Sequence, residues 1–337
     1  MAKAKVTGKS LAAAMCRKFP NTPNTTLGKK LYKEHVARFP TLNAACCAIR
    51  RVRGNQGEEH RNRKQSTVKD VARPNGKAGY IPACPPSAAE PWLPVELDAP
   101  CRVLSLSDIH IPYHHQQALE AAVEWGRKFK PDVLLLNGDI IDFHRISRWE
   151  QRPEKRDTKF EIDQCKELLR WLRHKFPKAR FIFKLGNHDE RLDKYVYLKA
   201  PELWNLEAIQ LHNILDFEKY SIERVDSQPI LAGFLPILHG HETGKTMTSP
   251  VNAARGLYLR VRHTALQGHL HQSSNHGDTD LWHSETSCWS QGCLCDLTPE
   301  FLRVNRWNHG FAAIEVAKDR QFDLHNMKII NNKVRSA

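Results

Sequence analysis

The sequence predicts an α/β fold from about residue 101 onward, preceded by a small all-helical domain. Beyond Pro100, apolar runs typical of strands alternate with amphipathic helical segments, which predicts parallel strands joined by right-handed crossovers. Before residue 54, apolar residues recur at helical spacing, and between these two regions proline is too frequent for either pattern. We therefore predict a helical domain over 1–54, a proline-rich linker over 55–100 and an α/β domain over 101–337.

The N-terminal domain is predicted to contain two or three short helices. Thr26 is the predicted N-cap of one helix, and Thr41, after a break at Pro40, is the N-cap of the next. The second of these helices has one apolar face, formed by Leu42, Ala45, Cys46 and Ile49. Two short helices with a tight break and a basic flank resemble a helix-turn-helix. A small helical appendage or docking module is the alternative.

The positive charge is concentrated in the N-terminal quarter. Residues 1–80 hold 18 Lys and Arg against 4 Asp and Glu, and this net +14 equals the formal charge of the whole chain. A basic head on a neutral body suggests an anchor for a polyanion. Nucleic acid is therefore the predicted partner of residues 1–80, with Arg50, Arg51 and Arg53 as the predicted contacts.

Compartment is inferred from apolar runs and cysteines. No apolar run reaches the roughly 18 residues of a membrane span, and the first residues lack a signal-peptide pattern. The nine cysteines are scattered, which suits free thiols in a reducing compartment. We expect a cytoplasmic protein with no membrane partner. Cys288, Cys293 and Cys295 are predicted to be buried small residues, with a zinc knuckle as the alternative.

The α/β domain begins with a β-α-β-α-β pattern. The predicted strands cover 102–107, 132–137 and 180–185, and the predicted helices cover 115–129 and 159–175. The run at 132–137 is continuously apolar, as in a strand buried on both faces. Four later strands, at 233–238, 264–267, 310–316 and 321–329, are predicted to form a second sheet.

Polar motifs follow the predicted strands. They are Asp108-Ile-His110, Gly138-Asp139-Ile-Ile-Asp142, Gly186-Asn187-His188-Asp189 and Gly268-His269-Leu-His271, with His239-Gly-His241 between the last two. Residues that follow parallel strands project from the carboxyl edge of the sheet, where α/β proteins bind ligands. Carboxylates, imidazoles and one amide oxygen are suitable ligands for two adjacent divalent cations. The motifs therefore predict a dinuclear metal site.

The order and spacing of these motifs resemble the calcineurin-like metallophosphoesterase superfamily, over roughly residues 100–325. The chain also resembles the members carried by phages and prophages, in which a small helical domain precedes the catalytic one. The resemblance implies a four-layer α/β-β/α sandwich and a metal-dependent phosphoric ester hydrolase, in which a metal-activated hydroxide attacks phosphorus. The implied cofactors are two divalent ions, with manganese as the default and iron, zinc or nickel as alternatives.

The resemblance also implies a role for each motif residue. Metal one would be held by Asp108, His110, Asp139 and His271, and metal two by Asp139, Asn187, His239 and His269. His188 would act on the leaving-group oxygen, with Asp142 behind it as the orienting carboxylate. His241 is the alternative to His239, and His114, His115 and His144 either touch the phosphate or are solvated.

The substrate is less constrained. Phosphoprotein phosphatases carry Arg-Gly after the second motif, whereas Asp142 is followed by Phe143 and His144, which disfavours protein phosphatase activity. We predict a phosphodiesterase or nuclease acting on nucleic acid. Alternatives are a hydrolase of small nucleotides or metabolites, and a non-catalytic DNA-binding protein. Trp289 and Trp307 either stack on bases or belong to the core.

Overall fold

The computed structural model describes residues 7–53, 84–147, 157–244 and 251–336. It divides into two compact units, Met1–Ala89 and Glu90–Ala337, and we describe each by itself. Most of the predicted linker lies outside the described residues, and the rest includes a short strand, Val95–Leu97, of the second unit. Within the described ranges, no helix has the length and apolar character needed to cross a membrane.

The first unit contains three helices, α1 (Gly8–Lys18), α2 (Asn24–Glu34) and α3 (Leu42–Arg53). Helix α2 begins at Asn24 with Pro23 as its N-cap, so the predicted N-cap at Thr26 is wrong; Pro23 has no N–H and fits where the helix offers that donor no partner. The Thr41 hydroxyl caps α3 by accepting from Ala44 N at 3.2 Å. Gly28 lets α2 approach α3, since a side chain there would overlap Cys46. The helices share one apolar core, which includes Leu27, Leu31, Ala45 and Ile49.

The second unit is a mixed α/β structure. In its described part, the strands are β1 (Val95–Leu97), β2 (Cys101–Leu106), β3 (Val133–Asn137), β4 (Arg180–Lys184), β5 (Ile222–Val225), β6 (Ile230–Ala232), β7 (Leu235–Leu238), β8 (Ala265–Gln267), β9 (Ser274–Thr279), β10 (Glu285–Ser290), β11 (Gly310–Val316), β12 (Phe322–Ile330) and β13 (Lys333–Ser336). The helices are α4 (Gln116–Phe129), α5 (Thr158–Lys175), α6 (Arg191–Lys199), α7 (Leu211–Ile214) and α8 (Ala253–Val261).

The strands form two sheets. The first has the order β13-β12-β11-β2-β3-β4-β5, with β2 to β5 parallel and β11 antiparallel to β2. The second has the order β1-β6-β7-β8-β10-β9. The placement of 310–316 and 321–329 in a second sheet was therefore wrong: β11 and β12 extend the first sheet. Strand pairing is a long-range contact, and a local apolar pattern does not encode the partner strand.

Four layers follow from how the sheets are covered. Alternate residues of β2 and β3 point to opposite sides, as in a strand buried on both faces. Leu104 and Leu134 join a core with α4 and α5, whereas Val103 and Leu135 join the core between the two sheets. On the far side, Ala254 and Leu257 of α8 pack on the second sheet. This is the predicted α/β-β/α sandwich, and the carboxyl ends of β2, β3, β4, β7 and β8 lie at its functional edge.

Candidate metal centre

The predicted ligands follow five parallel strands from both sheets. Asp108 comes two residues after β2, Asp139 two after β3, Asn187 three after β4, His239 directly after β7 and His269 two after β8. Parallel strands carry their carboxyl ends to one edge, so these side chains converge although their numbers span more than 150 residues. The sheet topology therefore assembles the site.

Asp139 belongs to two groups of closely spaced potential ligands. One group comprises Asp108, His110 and Asp139, and the other Asp139, His239 and His269, with the ligand atoms of each group within 4.8 Å of one another. His239 Nε2 lies 3.3 Å from Asp139 Oδ2, and His271 Nε2 lies 3.1 Å from Asp108 Oδ1. A carboxylate shared by two groups is what a bridging ligand requires.

Two buried polar atoms in this site, Asn187 Oδ1 and His269 Nδ1, have no hydrogen-bond partner within the described part of the chain. Buried polar atoms are normally paired. Beside them, Asp108 and Asp139 are almost fully buried carboxylates. Unpaired acceptors that converge beside buried negative charge fit divalent cations, and the mixed oxygen and nitrogen set suits transition metals.

The electrostatics of the site also favour positive charge. Burial lowers the pKa of an imidazole, yet the Asp139 carboxylate raises the pKa of His239 to about 10. The pKa of His271 is raised to about 9, because the Asp108 carboxylate outweighs the effect of burial. Burial, together with the nearby His239, lowers the pKa of His269 to about 4. Protons and metal ions thus compete for the same lone pairs.

Asp142 orients two imidazoles at once. Its Oδ1 accepts from His188 Nδ1 at 2.6 Å and from His110 Nδ1 at 2.9 Å. Burial would raise the pKa of Asp142, but these two bonds hold it far below its ordinary range. The Nε2 atoms of His188 and His110 consequently face the site. His110 Nε2 lies 3.2 Å from His271 Nε2. The predicted orienting carboxylate therefore contacts a predicted ligand as well as His188.

The backbone that presents these side chains is unusual. Asp108, His110, Asp139, His269 and His271 all have φ between 53° and 64°, in the left-handed region. Such φ values are uncommon for residues with a side chain, and they occur at functional sites, where the surrounding structure enforces them. Gly186 lies so close to Asp139 that a side chain there would overlap its carboxylate. Packing around the site thus restricts both side chains and backbone.

Asp189 is one residue whose role sequence analysis missed. Its carboxylate is fully buried and accepts from the backbone N–H groups of Asp139 at 2.7 Å, Ile140 at 3.0 Å, Ile141 at 3.1 Å and Gly186 at 2.8 Å. It therefore joins the turn after β3 to the turn after β4. The sequence did mark Asp189 as the last residue of the third motif. Its backbone partners, however, belong to another segment and are seen only in the folded structure.

A buried ion pair positions His239. Lys184 Nζ is fully buried and lies 2.7 Å from Glu242 Oε1. Glu242 in turn accepts from the backbone N–H of His239 at 3.1 Å. His239 Nδ1 donates to Asn137 O at 2.8 Å, which leaves Nε2 for the site. His241, the alternative ligand, instead lies against Glu190 at 3.3 Å.

Arg191 and Cys295, to which sequence analysis assigned no role in the site, also contact it. Arg191 Nη2 donates to His188 Nε2 at 3.0 Å, and its Nη1 donates to Asp142 O at 2.7 Å. Cys295 Sγ lies 3.8 Å from His271 Nδ1. All nine cysteines are free, and Cys288, Cys293 and Cys295 are buried. Cys295 is therefore a buried thiol behind a predicted ligand, a position that scattered cysteines in a sequence do not reveal.

The remaining histidine and tryptophan candidates lie in different surroundings: some line the cavity over the site and others have structural contacts. His115 caps α4 by accepting from Ala118 N at 3.2 Å, and His144 lines the cavity over the site. His114 is half-buried. Trp289 packs with Phe322 at the core between the sheets, whereas Trp307 lines the cavity.

The three predicted nucleic-acid contacts also differ. Arg50 and Arg51 are exposed at the end of α3. The Arg53 guanidinium instead donates to Thr22 O at 2.6 Å, to Cys16 O at 3.0 Å and to Phe19 O. The donors of Arg53 therefore hold the helices together, whereas Arg50 and Arg51 are the exposed members of the cluster, and all three contacts stay predictions.

Residues 101–306, well over half of the chain, match the family model of the calcineurin-like phosphoesterases. The chain belongs to this family. Calcineurin-like phosphoesterases normally bind divalent metals, and this member is a metal-dependent phosphoester hydrolase. The residues above are its candidate ligands.

Two phage proteins and several solved structures are similar to the chain. It is 26% identical over 228 residues to the Gene 54 protein of Mycobacterium phage L5, covering 64% of this chain and 89% of that protein. It is also 26% identical over 178 residues to the Gene 54 protein of Mycobacterium phage D29, covering 51% and 69%. Solved structures include a single mutant of Vps29 from Entamoeba histolytica, with a TM-score of 0.38, 11% identity and coverage of 70% and 97%. The phosphoesterase Yfce from E. coli has a TM-score of 0.32, 15% identity and coverage of 67% and 98%.

Proposed function

We propose that this calcineurin-like phosphoesterase is a phosphodiesterase or nuclease that acts on nucleic acid and uses manganese. The observation that carries the choice of substrate is the charge asymmetry. Residues 7–53 hold ten Lys and Arg against a single Glu, while the chain beyond residue 80 is balanced. A cationic surface binds a phosphate backbone without reading sequence, and that binding weakens steeply with salt. Arg50 and Arg51 are the exposed candidates for this contact.

In this mechanism the chain positions groups around the phosphate. When bound, two divalent ions would supply Lewis-acid activation of the attacking water and neutralise charge on the phosphate. Asp108, His110, Asp139 and His271 would hold one ion, and Asp139, Asn187, His239 and His269 the other. Asp142 fixes the His188 ring so that Nε2 faces the site. From that position, a proton on His188 Nε2 would pass to the leaving-group oxygen.

Arg191 adds a second group beside the leaving oxygen. A guanidinium has only donors, so its 3.0 Å contact with His188 Nε2 uses the lone pair of that nitrogen. A bound phosphate would offer Arg191 better acceptors, because charge-assisted bonds to phosphate oxygens are stronger. Transfer of the guanidinium to the phosphate would then free the Nε2 lone pair to take up a proton from water, and that proton would pass to the leaving-group oxygen.

One observation favours a second substrate class, small nucleotides. The cavity over the site has a volume of about 730 Å³, lined by both the metal-site residues and the segment 295–307. Such a volume is within the range of small-molecule pockets. The N-terminal unit would then serve recruitment instead of substrate binding.

The discriminating experiment is a substrate panel. The manganese-loaded full chain is incubated with bis-p-nitrophenyl phosphate, p-nitrophenyl phosphate, a panel of cyclic and linear nucleotides, and labelled single- and double-stranded DNA and RNA, with Asp139→Asn as the blank. We expect cleavage of the diester and of at least one polymer. Cleavage of nucleotides with intact polymers would establish the second candidate. Full metal occupancy without turnover of any ester would contradict both.

A further inference from the structure

One wall of the cavity is aromatic. Trp307 and Phe301 both line the cavity, with their ring centroids 6.2 Å apart. The Trp307 ring lies only 4.1 Å from the ring of His271, a predicted ligand. Phe301 is 78% exposed although it is a large apolar side chain. An aromatic face that borders a phosphate site and remains open to solvent is a stacking surface.

The segment that carries these rings is held in place. Asn305 Nδ2 donates to Leu297 O at 2.8 Å and to Leu302 O at 2.9 Å, and Asn305 Oδ1 accepts from Trp307 N at 2.9 Å. At its ends, Asp296 N donates to Tyr113 O at 2.8 Å and Asn308 N donates to His271 O at 2.9 Å. A surface that is already ordered loses little entropy when a ligand binds.

The charge of this wall selects a neutral group. Its described charged side chains facing the cavity are Asp296, Glu300 and Arg303. Two carboxylates against one guanidinium oppose a second phosphate, which would need a positive surface. A neutral planar ring, with edge donors for carboxylates and a face for aromatic rings, suits the wall better.

The aromatic wall lies on the side of the site away from His188. His188 contacts His110 at 4.5 Å between ring centroids, His110 contacts His271 at 5.0 Å, and His271 contacts Trp307. The aromatic wall is thus separated from His188 by two imidazoles. With His188 beside the leaving oxygen, a ring bound at this wall would belong to the part of the substrate that remains on the phosphate.

We propose that Phe301 and Trp307 form a nucleobase subsite, which binds the base of the nucleoside that remains on the phosphate after cleavage. The proposal rests on the proposed function in one respect, that the substrate carries a nucleotide phosphate ester. It adds that recognition near the metal centre is by stacking, whereas the N-terminal unit contacts only phosphates.

The test compares two esters with the same leaving group. Thymidine 5′-(p-nitrophenyl phosphate) carries a base on the retained side, and ethyl p-nitrophenyl phosphate carries none. One base–aromatic stack corresponds to roughly five- to hundredfold in binding. We expect the wild-type protein to prefer the thymidine ester in kcat/KM by a factor in this range. Phe301→Ala should remove most of that preference by raising the KM for the thymidine ester, with a clearly smaller effect on the ethyl ester.

Val304→Ala is the matched control, because Val304 is 91% exposed on the same segment and does not line the cavity. It should keep the preference. Bis-p-nitrophenyl phosphate, which retains an aryl group instead of a nucleoside, tests whether the subsite binds any aromatic ring. If its kcat/KM exceeds that of the ethyl ester by the same factor as the thymidine ester does, the assignment to a nucleobase is overturned. An equal loss on the thymidine and ethyl esters in Phe301→Ala would also overturn it, as would a wild-type protein with no preference.

A binding measurement covers the case of no turnover. Calorimetry of the manganese-loaded full chain compares thymidine 5′-monophosphate with 2-deoxyribose 5-phosphate. Tighter binding of the nucleotide, lost in Phe301→Ala, supports the subsite, and equal binding contradicts it. Polymer cleavage is scored separately. A base preference without polymer cleavage would contradict the nucleic-acid proposal alone, and polymer cleavage without base preference would contradict the subsite alone.

Discussion

The two units of this protein use charge in opposite ways. In the second unit the carboxylates of the site are buried and their oxygens are hydrogen-bonded: Asp142 orients two imidazoles, and Asp189 accepts from four backbone N–H groups. In the described part of the first unit, residues 7–53, the charged side chains lie at the surface and are nearly all positive, with ten Lys and Arg against one Glu. Arg53 is the exception, because its guanidinium is bonded to backbone carbonyls.

This difference predicts how each unit responds to substitution. Groups that share buried partners are strongly coupled, so a change in one disturbs several. Exposed charges act through the sum of their field, which salt screens. Single substitutions in the site should therefore cost large factors, and substitutions on the basic unit should cost small factors that depend on salt.

The largest effect is expected for Asp139→Asn. Asp139 is shared by both groups of potential ligands, and its Oδ1 also accepts from His188 N at 2.8 Å. Loss of this charge should lower bound manganese from two ions to at most one. It should reduce kcat/KM by roughly a thousandfold or more, about 4 kcal/mol. Metal analysis and diester hydrolysis measure the two quantities, and a variant that retains both ions and activity would exclude a bridging role.

His188→Ala should have the next largest effect, with both metals retained. Loss of a general acid costs roughly a hundred- to ten-thousandfold. The loss should depend on the leaving group, because p-nitrophenolate departs without a proton and an alkoxide does not. We therefore expect a smaller factor on bis-p-nitrophenyl phosphate than on a dinucleotide. Equal factors on the two substrates would argue against proton transfer, and loss of metal would make His188 a ligand.

Asp189→Asn should act on stability. Each carboxylate oxygen accepts from two backbone N–H groups, and an amide turns its NH₂ toward one of these pairs, so two buried N–H groups lose their partner. We expect a loss of roughly 2–4 kcal/mol in the free energy of unfolding. Urea unfolding followed by tryptophan fluorescence reports on the second unit, because all eight tryptophans lie beyond residue 90. Asp163→Asn, an exposed carboxylate paired with Lys159, is the control and should change stability by less than about 0.5 kcal/mol. An equal change in both variants would contradict this role for Asp189.

The sequence was sufficient to predict the parts of the fold that are locally encoded. The helices at 116–129 and 158–175 and the strands at 101–106 and 133–137 follow from apolar periodicity. Motif order placed the predicted ligands at strand ends. Two kinds of fact were beyond reach. The sheet to which β11 belongs depends on a long-range pairing with β2, and the left-handed backbone at Asp108 and His271 is imposed by packing.

The site residues that were missed also act through contacts between distant segments. Asp189, Lys184 and Arg191 act on atoms of other segments, through backbone N–H groups, a buried ion pair and an imidazole nitrogen. Nothing in their local spacing indicates such contacts. Arg53 shows the converse. Its position in an arginine cluster suggested an exposed contact, but the fold provides carbonyl acceptors for its guanidinium.

The smallest effect should come from the double variant Arg50→Ala/Arg51→Ala, which tests whether the basic unit acts by summed charge. Each lost phosphate contact should lower the slope of log affinity against log salt by about one. We expect the DNA affinity, measured by fluorescence anisotropy, to fall several-fold at low salt. The magnitude of the negative slope of log affinity against log salt should decrease by about two. Arg127→Ala/Arg170→Ala removes two exposed charges from the second unit and is the matched control. An equal loss in the two double variants would show that binding follows the charge of the whole chain, and that the N-terminal unit is no specific anchor.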